Sequence, residues 1–272
     1  MRKKFISLII AVCMLFCMSI DAFAAPTVSL GFAGINDYSY CSHDDRRGAT
    51  YVLNLSVAFS SLSSKGIIDY RPGGRYLNNE VTPGSIKRAS RETFFAYAGH
   101  GIIFDSLNNA LHTNASEMNI LPHVMQGENT SENFNLITTK TKFPHKYVIL
   151  YSCNQLANGG STAKSNNILK MMNGTPLMFG FASTMYLDSR EATLFGEKLS
   201  SKTIADAFFT AARKYQTQRK DGDSIARVVG YSSASNDKIS QSYSYAPSAA
   251  SNLSSFKIIN SVTIKHTGNL IP

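Results

Sequence analysis

His100 and Cys153 are the residues of this 272-residue chain whose types and settings point most directly to chemistry. A thiol becomes a useful nucleophile when an imidazole base stands beside it. Each of the two closes an apolar, strand-like run. The first reads Phe94-Phe95-Ala96-Tyr97-Ala98-Gly99-His100-Gly101 and the second Tyr147-Val148-Ile149-Leu150-Tyr151-Ser152-Cys153-Asn154. Aromatic and β-branched runs of this kind suit buried strands of a parallel sheet. In open α/β sheets, chemistry gathers just beyond the carboxyl ends of the strands. Adjacent parallel strands would therefore bring the imidazole to the thiol.

Other arrangements of the same residue types fit less well. His145 begins Cys153's own strand, ~26 Å away along an extended chain. His43, His112 and His123 fall in expected loops with nothing to orient them. No Cys-x-x-Cys or His-Glu-x-x-His spacing occurs, so neither a metal nor another cofactor is expected. Tyr151 and Gln155 stand where the nucleophile elbow of α/β-hydrolases needs glycines. Papain-type enzymes carry Trp after the cysteine, and this chain has no Trp. Taken singly, Cys153 also reads as an inert buried thiol, because cysteine is among the most buried residue types. His100 taken singly reads as a satisfied loop histidine.

The elements that must position the pair alternate between strand and helix. Residues 28–33 read as a first strand. Val52, Leu55, Phe59 and Leu62 share one helical face, with Ser42 or Asp44 as cap. Residues 66–70 read as a second strand stopped by Arg71-Pro72-Gly73-Gly74, and a short helix at 83–89 precedes the His100 strand. Ile204, Phe208, Ala211 and Tyr215 mark an amphipathic helix, and 227–231 a further strand. Such alternation argues for a three-layer α/β/α sandwich around a parallel sheet. Residues 105–145 form a long polar connection, read either as a substrate-binding lid or as a satellite hairpin. Past Ser232 the chain turns Ser-, Ala- and Asn-rich, and 256–267 reads as an edge strand.

Arg2-Lys3-Lys4, an apolar stretch over 5–20 and Ala22-Phe23-Ala24 before Ala25 read as a secretory signal peptide over 1–24. The apolar stretch is shorter than the ~20 residues a spanning helix needs, so no stable membrane insertion is expected after cleavage. The domain reading is then 1–24 signal peptide, 25–235 folded domain, and 236–272 linker with a terminal strand or tail. The mature chain keeps 24 Lys and Arg against 17 Asp and Glu, a formal +7, which favours anionic cell-surface polymers or acidic proteins as neighbours. No basic block interleaved with aromatics appears, so nucleic acid is not expected. Only Cys41 and Cys153 survive cleavage, and a reversible Cys41–Cys153 bridge would lock the nucleophile under oxidising conditions.

These residues resemble the caspase-like (clan CD) cysteine peptidases, closest to the bacterial CHAT, gingipain- and clostripain-type caspase-related domains. The shared pattern is an apolar strand ending in His-Gly, a connection, and an apolar strand ending in Cys. The interval of 53 positions from His100 to Cys153 lies near the ~50 of caspase-type proteins. Gly159-Gly160, a helix expected over 163–172, Asn173-Gly174-Thr175-Pro176, an apolar run over 177–183 and Asp188-Ser189-Arg190-Glu191-Ala192 follow in matching order. The likeness covers 28–233.

The resemblance implies a mostly parallel caspase-like sheet and a cysteine endopeptidase acting on peptide or protein substrates, which the signal peptide over 1–24 would make a secreted one. Cys153 would be nucleophile, and His100 base and then acid, through a thioester acyl-enzyme. The oxyanion would lie between the backbone N–H groups of Gly101 and Cys153. Members that cut after Arg or Lys hold an acid in the pocket for that side chain, which makes Asp188, Glu191 and Asp105 the pocket candidates. Asp188 reads equally well as a helix N-cap. The context Tyr151-Ser152-Cys153-Asn154-Gln155 departs from the Gln-Ala-Cys-x-Gly of animal caspases, so aspartate specificity is not implied. The alternative is a catalytically inactive caspase-like fold that binds peptides or cell-wall polymers.

Overall fold

A computed structural model describes residues 24–36, 47–99, 101–102, 119–120, 134–135, 147–156, 175–219, 222–241 and 256–269. The chain runs β1 (Thr27–Gly34), α1 (Gly48–Ser64), β2 (Asp69–Leu77), α2 (Pro83–Ala89) and β3 (Phe94–Ala98). Three two-residue strands follow: β4 (Gly101–Ile102), β5 (Asn119–Ile120) and β6 (Phe134–Asn135). Then come β7 (Tyr147–Tyr151), β8 (Leu177–Phe181), α3 (Ser189–Leu199), α4 (Ile204–Tyr215), β9 (Ser224–Tyr231) and β10 (Phe256–Ile264). The expected helix over 163–172 falls outside the described residues.

Seven strands form one sheet in the order β10-β9-β8-β7-β3-β1-β2, and β4-β5-β6 form a separate small antiparallel sheet within the 105–145 connection and its approach. The architecture is α/β, compatible with a three-layer sandwich. The expectation of a mostly parallel sheet needs correction, because the sheet is mixed. β2, β1, β3, β7 and β8 run parallel, whereas β9 is antiparallel to β8 and β10 to β9. The cause lies between β8 and β9. Two helices, α3 and α4, pack together there, so the chain crosses the depth of the sheet twice and re-enters at the end it left. Phe181, the last residue of β8, accordingly pairs with Ala226 near the start of β9.

Alternation along the strands divides the core. Leu30 and Phe32 of β1, Phe94 and Ala96 of β3, Tyr147 and Ile149 of β7, and Phe179 of β8 join one apolar cluster with α1, α3 and α4. Phe59, Phe94, Tyr147 and Phe179 lie ring against ring through it, with centroids 5.2, 4.7 and 6.4 Å apart in turn. The intervening Phe95, Tyr97, Val148, Leu150 and Met178 are buried on the opposite face. There α2 sits so close that a Cβ on Gly31 would strike the Ala89 carbonyl. Both faces are covered, which is why these strands read as continuous apolar runs.

Two local readings change. β2 runs straight through Arg71-Pro72-Gly73-Gly74 to Leu77. It is the edge strand, where a missing N–H is tolerated, and a register shift against Leu30 and Phe32 absorbs the extra residue. Helix α1 begins after Arg47, which supplies no side-chain cap. Asn36, just beyond β1, caps it instead: its Oδ1 accepts from the Ala49 and Thr50 N–H groups at 2.7 and 3.2 Å. Ser42 and Asp44 lie outside the described residues. Thr82 and Ser85 cap α2 reciprocally, with Pro83 in its first turn. Among the described residues no helix is long and apolar enough to cross a membrane.

Candidate active site

β3 and β7 are direct neighbours and pair in parallel from Phe94↔Tyr147 to Ala98↔Tyr151. Their carboxyl ends therefore open on one edge of the sheet. The Gly99 N–H donates to the Tyr151 carbonyl at 3.1 Å, extending the pairing past the last strand residue. The next residue, His100, lies outside the described residues, as do Asp105 and Cys41. Gly101 opens β4, opposite Ile120 of β5.

Beyond Tyr151 the chain bends at Ser152 and turns through Cys153 to Leu156. Asn154 takes a left-handed φ of 60°, a conformation asparagine tolerates better than most residues. The turn is pinned on both sides of the cysteine. Asn154 and Leu156 donate their N–H groups to the Ser183 and Phe181 carbonyls, each at 2.9 Å. The Gln155 side chain donates back to the Cys153 carbonyl at 3.2 Å, and Arg227 donates to the Leu156 carbonyl at 2.7 Å. Cys153 itself is half-buried. Its Sγ accepts from the Met185 N–H at 3.4 Å and sits 3.9 Å from the Met185 carbonyl, in line to donate. A backbone N–H aimed at sulfur can stabilise a thiolate, and a carbonyl beside it a thiol.

Asp188 and Glu191 stand at the start of α3, three residues and six residues past Met185. Asp188 is the N-cap, accepting from the Arg190 N–H at 2.9 Å. Its carboxylate also takes the Arg190 guanidinium at 2.8 Å and the Gln218 side-chain amide at 2.9 Å. Burial alone would raise this carboxyl, but the bonds from Arg190 and Gln218 outweigh it and hold the group below the usual carboxylate range. Glu191 is fully buried. Burial pushes its carboxyl up to about 8, so at neutral pH it holds its proton. Its Oε2 accepts from Gln216 at 2.7 Å. The other oxygen neighbours the Tyr151 hydroxyl, which neighbours that of Tyr51, yet none of the three meets a partner in good hydrogen-bond geometry. The two tyrosine rings stack with centroids 3.8 Å apart.

Three contributors have no local signature in the sequence. The Met185 amide is backbone and carries no letter of its own. Gln216 follows α4 directly, and both of its side-chain groups bind the backbone of Tyr186. Arg47, ahead of α1, donates to the Tyr186 hydroxyl and to the Leu187 carbonyl, the latter at 3.3 Å. Among the described residues no group of three His, Cys, Asp or Glu is arranged to hold a metal ion.

The model of the family described as "Domain of unknown function (DUF6345)" matches residues 93–260. The chain belongs to the DUF6345 family. The DUF6345 match opens just before β3 and ends within β10, so it takes in His100, Cys153, Met185, Glu191 and Gln216, while β1, α1 and β2 precede it. No curated protein matches the chain.

Proposed function

We propose that this DUF6345 protein is a secreted cysteine endopeptidase in which His100 and Cys153 form a catalytic dyad. The observation that carries the reading is the Gly99–Tyr151 bond at the shared carboxyl edge of β3 and β7. It ties the residue before His100 to a residue two positions before Cys153. The imidazole takes the thiol proton, and Sγ attacks the substrate carbonyl carbon. The carbonyl oxygen charge is met by backbone N–H groups, those of Gly101 and Cys153 in this reading. Collapse of the tetrahedral intermediate expels the amine, which leaves with the proton from His100, and water then hydrolyses the thioester. The Cys153 turn, hydrogen-bonded on both sides of the cysteine, suits this chemistry, since a nucleophile held in place pays little ordering cost at reaction.

Residues 1–24 act as the export signal in this reading, peptides or proteins outside the cell are the substrates, and anionic cell-surface polymers are the neighbours that the mature charge of +7 favours. The test is thiol reactivity. Cys153 of the mature chain should alkylate rapidly near neutral pH, and His100→Ala should slow it and move its pH profile upward. An alkylation rate and profile indifferent to His100→Ala would remove the dyad. A second reading, a non-cleaving binding module of the same fold, draws on one observation: the Cys153 sulfur has both an N–H and a carbonyl of Met185 within reach, which also suits an unreactive thiol.

A further inference from the structure

The segment joining β8 to α3 is held on both sides of Met185. Before it, the Ser183 carbonyl accepts from Asn154 at 2.9 Å and the Ser183 hydroxyl from the Ile225 N–H at 2.8 Å. After it, Gln216 takes both backbone groups of Tyr186: Oε1 accepts the N–H at 2.8 Å and Nε2 donates to the carbonyl at 2.8 Å. The same Nε2 donates to Glu191 at 2.7 Å, and the same Oε1 accepts the Ser224 hydroxyl at 3.3 Å. Both N–H donors and both acceptor positions of this carboxamide are therefore occupied. Gln216, Glu191 and Ser224 are all fully buried. The orientation of the amide is determined by its partners, because turning it over would set its NH2 against the Tyr186 N–H. Between these anchors, the backbone N–H and carbonyl of Met185 both face the Cys153 sulfur.

We propose that Gln216 is a positioning residue for the cysteine site, holding the Met185 amide against Cys153 Sγ so that the thiolate forms and is oriented there. The inference rests on the reading of Cys153 as nucleophile. A hydrogen bond to the charged form lowers the midpoint at which the thiol ionises, but only while the donor stays within reach. Gln216 touches neither sulfur nor substrate and acts through two backbone groups one residue away. The pairing of a carboxamide with a protonated carboxyl also sets up a rescue. Exchanging the two as Gln216→Glu with Glu191→Gln keeps one group of each kind in the same buried space.

The experiment is the pH profile of iodoacetamide alkylation at Cys153 in the full mature chain, mapped by peptide mass. It compares the parent, Gln216→Ala, Gln216→Met and the double exchange, each also carrying His100→Ala, with circular dichroism as the fold control. The expected result is an upward move of the alkylation midpoint by about one pH unit in Gln216→Ala, with roughly tenfold slower alkylation at neutral pH. The double exchange should restore most of that loss, and the shift should persist without His100. Gln216→Met keeps the side-chain shape without its bonds and is read by the same criteria where Gln216→Ala does not fold. A folded single variant with the parent profile overturns the proposal. The two readings fail separately: absence of peptide hydrolysis with the midpoint shift intact removes the peptidase, whereas Cys153-dependent hydrolysis with no shift removes the role of Gln216.

Discussion

Gly99 gives its backbone N–H to the Tyr151 carbonyl at 3.1 Å, and this bond joins the ends of the two strands that bracket the candidate chemistry. It follows directly from the parallel register Ala98↔Tyr151. Leu156 packs against Gly180, and the Cys153 turn folds back on the end of β8, so the cysteine is anchored to three consecutive strands of the sheet.

Glu191 should give the fold a recognisable pH dependence. Burial raises its carboxyl from 4.5 to about 8, so the folded chain holds a proton that the unfolded chain has released across that window. Its contribution is complete below the unfolded value and is lost as pH rises through the folded one, at up to ~1.4 kcal/mol per unit. Glu191→Gln keeps an acceptor for Gln216 and removes the titration. Urea midpoints should be flatter with pH for the variant and higher than the parent's at the alkaline end. Parallel curves for the two chains would show that Glu191 does not titrate there.

Asp188 shows the opposite linkage. Its depressed carboxyl contributes stability above the unfolded value and loses it as pH falls. Asp188→Ala removes the cap and the Arg190 and Gln218 bonds, with an expected cost of about 1–2 kcal/mol, because the Arg190 side chain is itself partly exposed. Asp188→Asn keeps the capping oxygen and should cost less than half as much. Thermal melts of the two variants decide it, and equal losses would rule out the cap as the main contribution. A change in the residue preferred before the cleaved bond, with stability kept in Asp188→Asn, would assign Asp188 to the substrate pocket.

The tyrosines offer a paired contrast. The Tyr51 hydroxyl is buried without a well-formed hydrogen bond, whereas that of Tyr147 donates to Asp237 at 2.6 Å. Tyr51→Phe is expected to leave stability within about 0.5 kcal/mol of the parent or to raise it, and Tyr147→Phe to cost about 1–2 kcal/mol. Denaturant unfolding of the two variants measures both. A larger loss from Tyr51→Phe than from Tyr147→Phe would contradict the assignment of their partners.

Much of the sheet was legible because its strands are covered on both faces. Phe94–Ala98 and Tyr147–Tyr151 leave no polar position to confuse the pattern, and the residues around Val52 and Phe208 mark their helices by spacing alone. Strand direction was not legible. The α4 pattern is visible in the spacing, but that two helical crossings return the chain antiparallel is a property of connectivity, not of any residue. Pro72-Gly73-Gly74 carries a turn signal that only the edge position of β2 overrides. At the site, the letters of Asp188 and Glu191 mark acids near the sheet edge. Their partners Gln216 and Gln218 come from the turn just beyond α4, out of the reach of any local pattern.

The central claim is that Cys153 cuts peptide bonds with the help of His100. The most direct measurement is hydrolysis of a peptide library by the mature chain under reducing conditions, beside Cys153→Ala and His100→Ala. The expected result is cleavage by the parent that falls roughly a thousandfold or more in each single variant and hardly further in the double variant, since residues acting as one unit are not additive. Hydrolysis that survives unchanged in Cys153→Ala would contradict it.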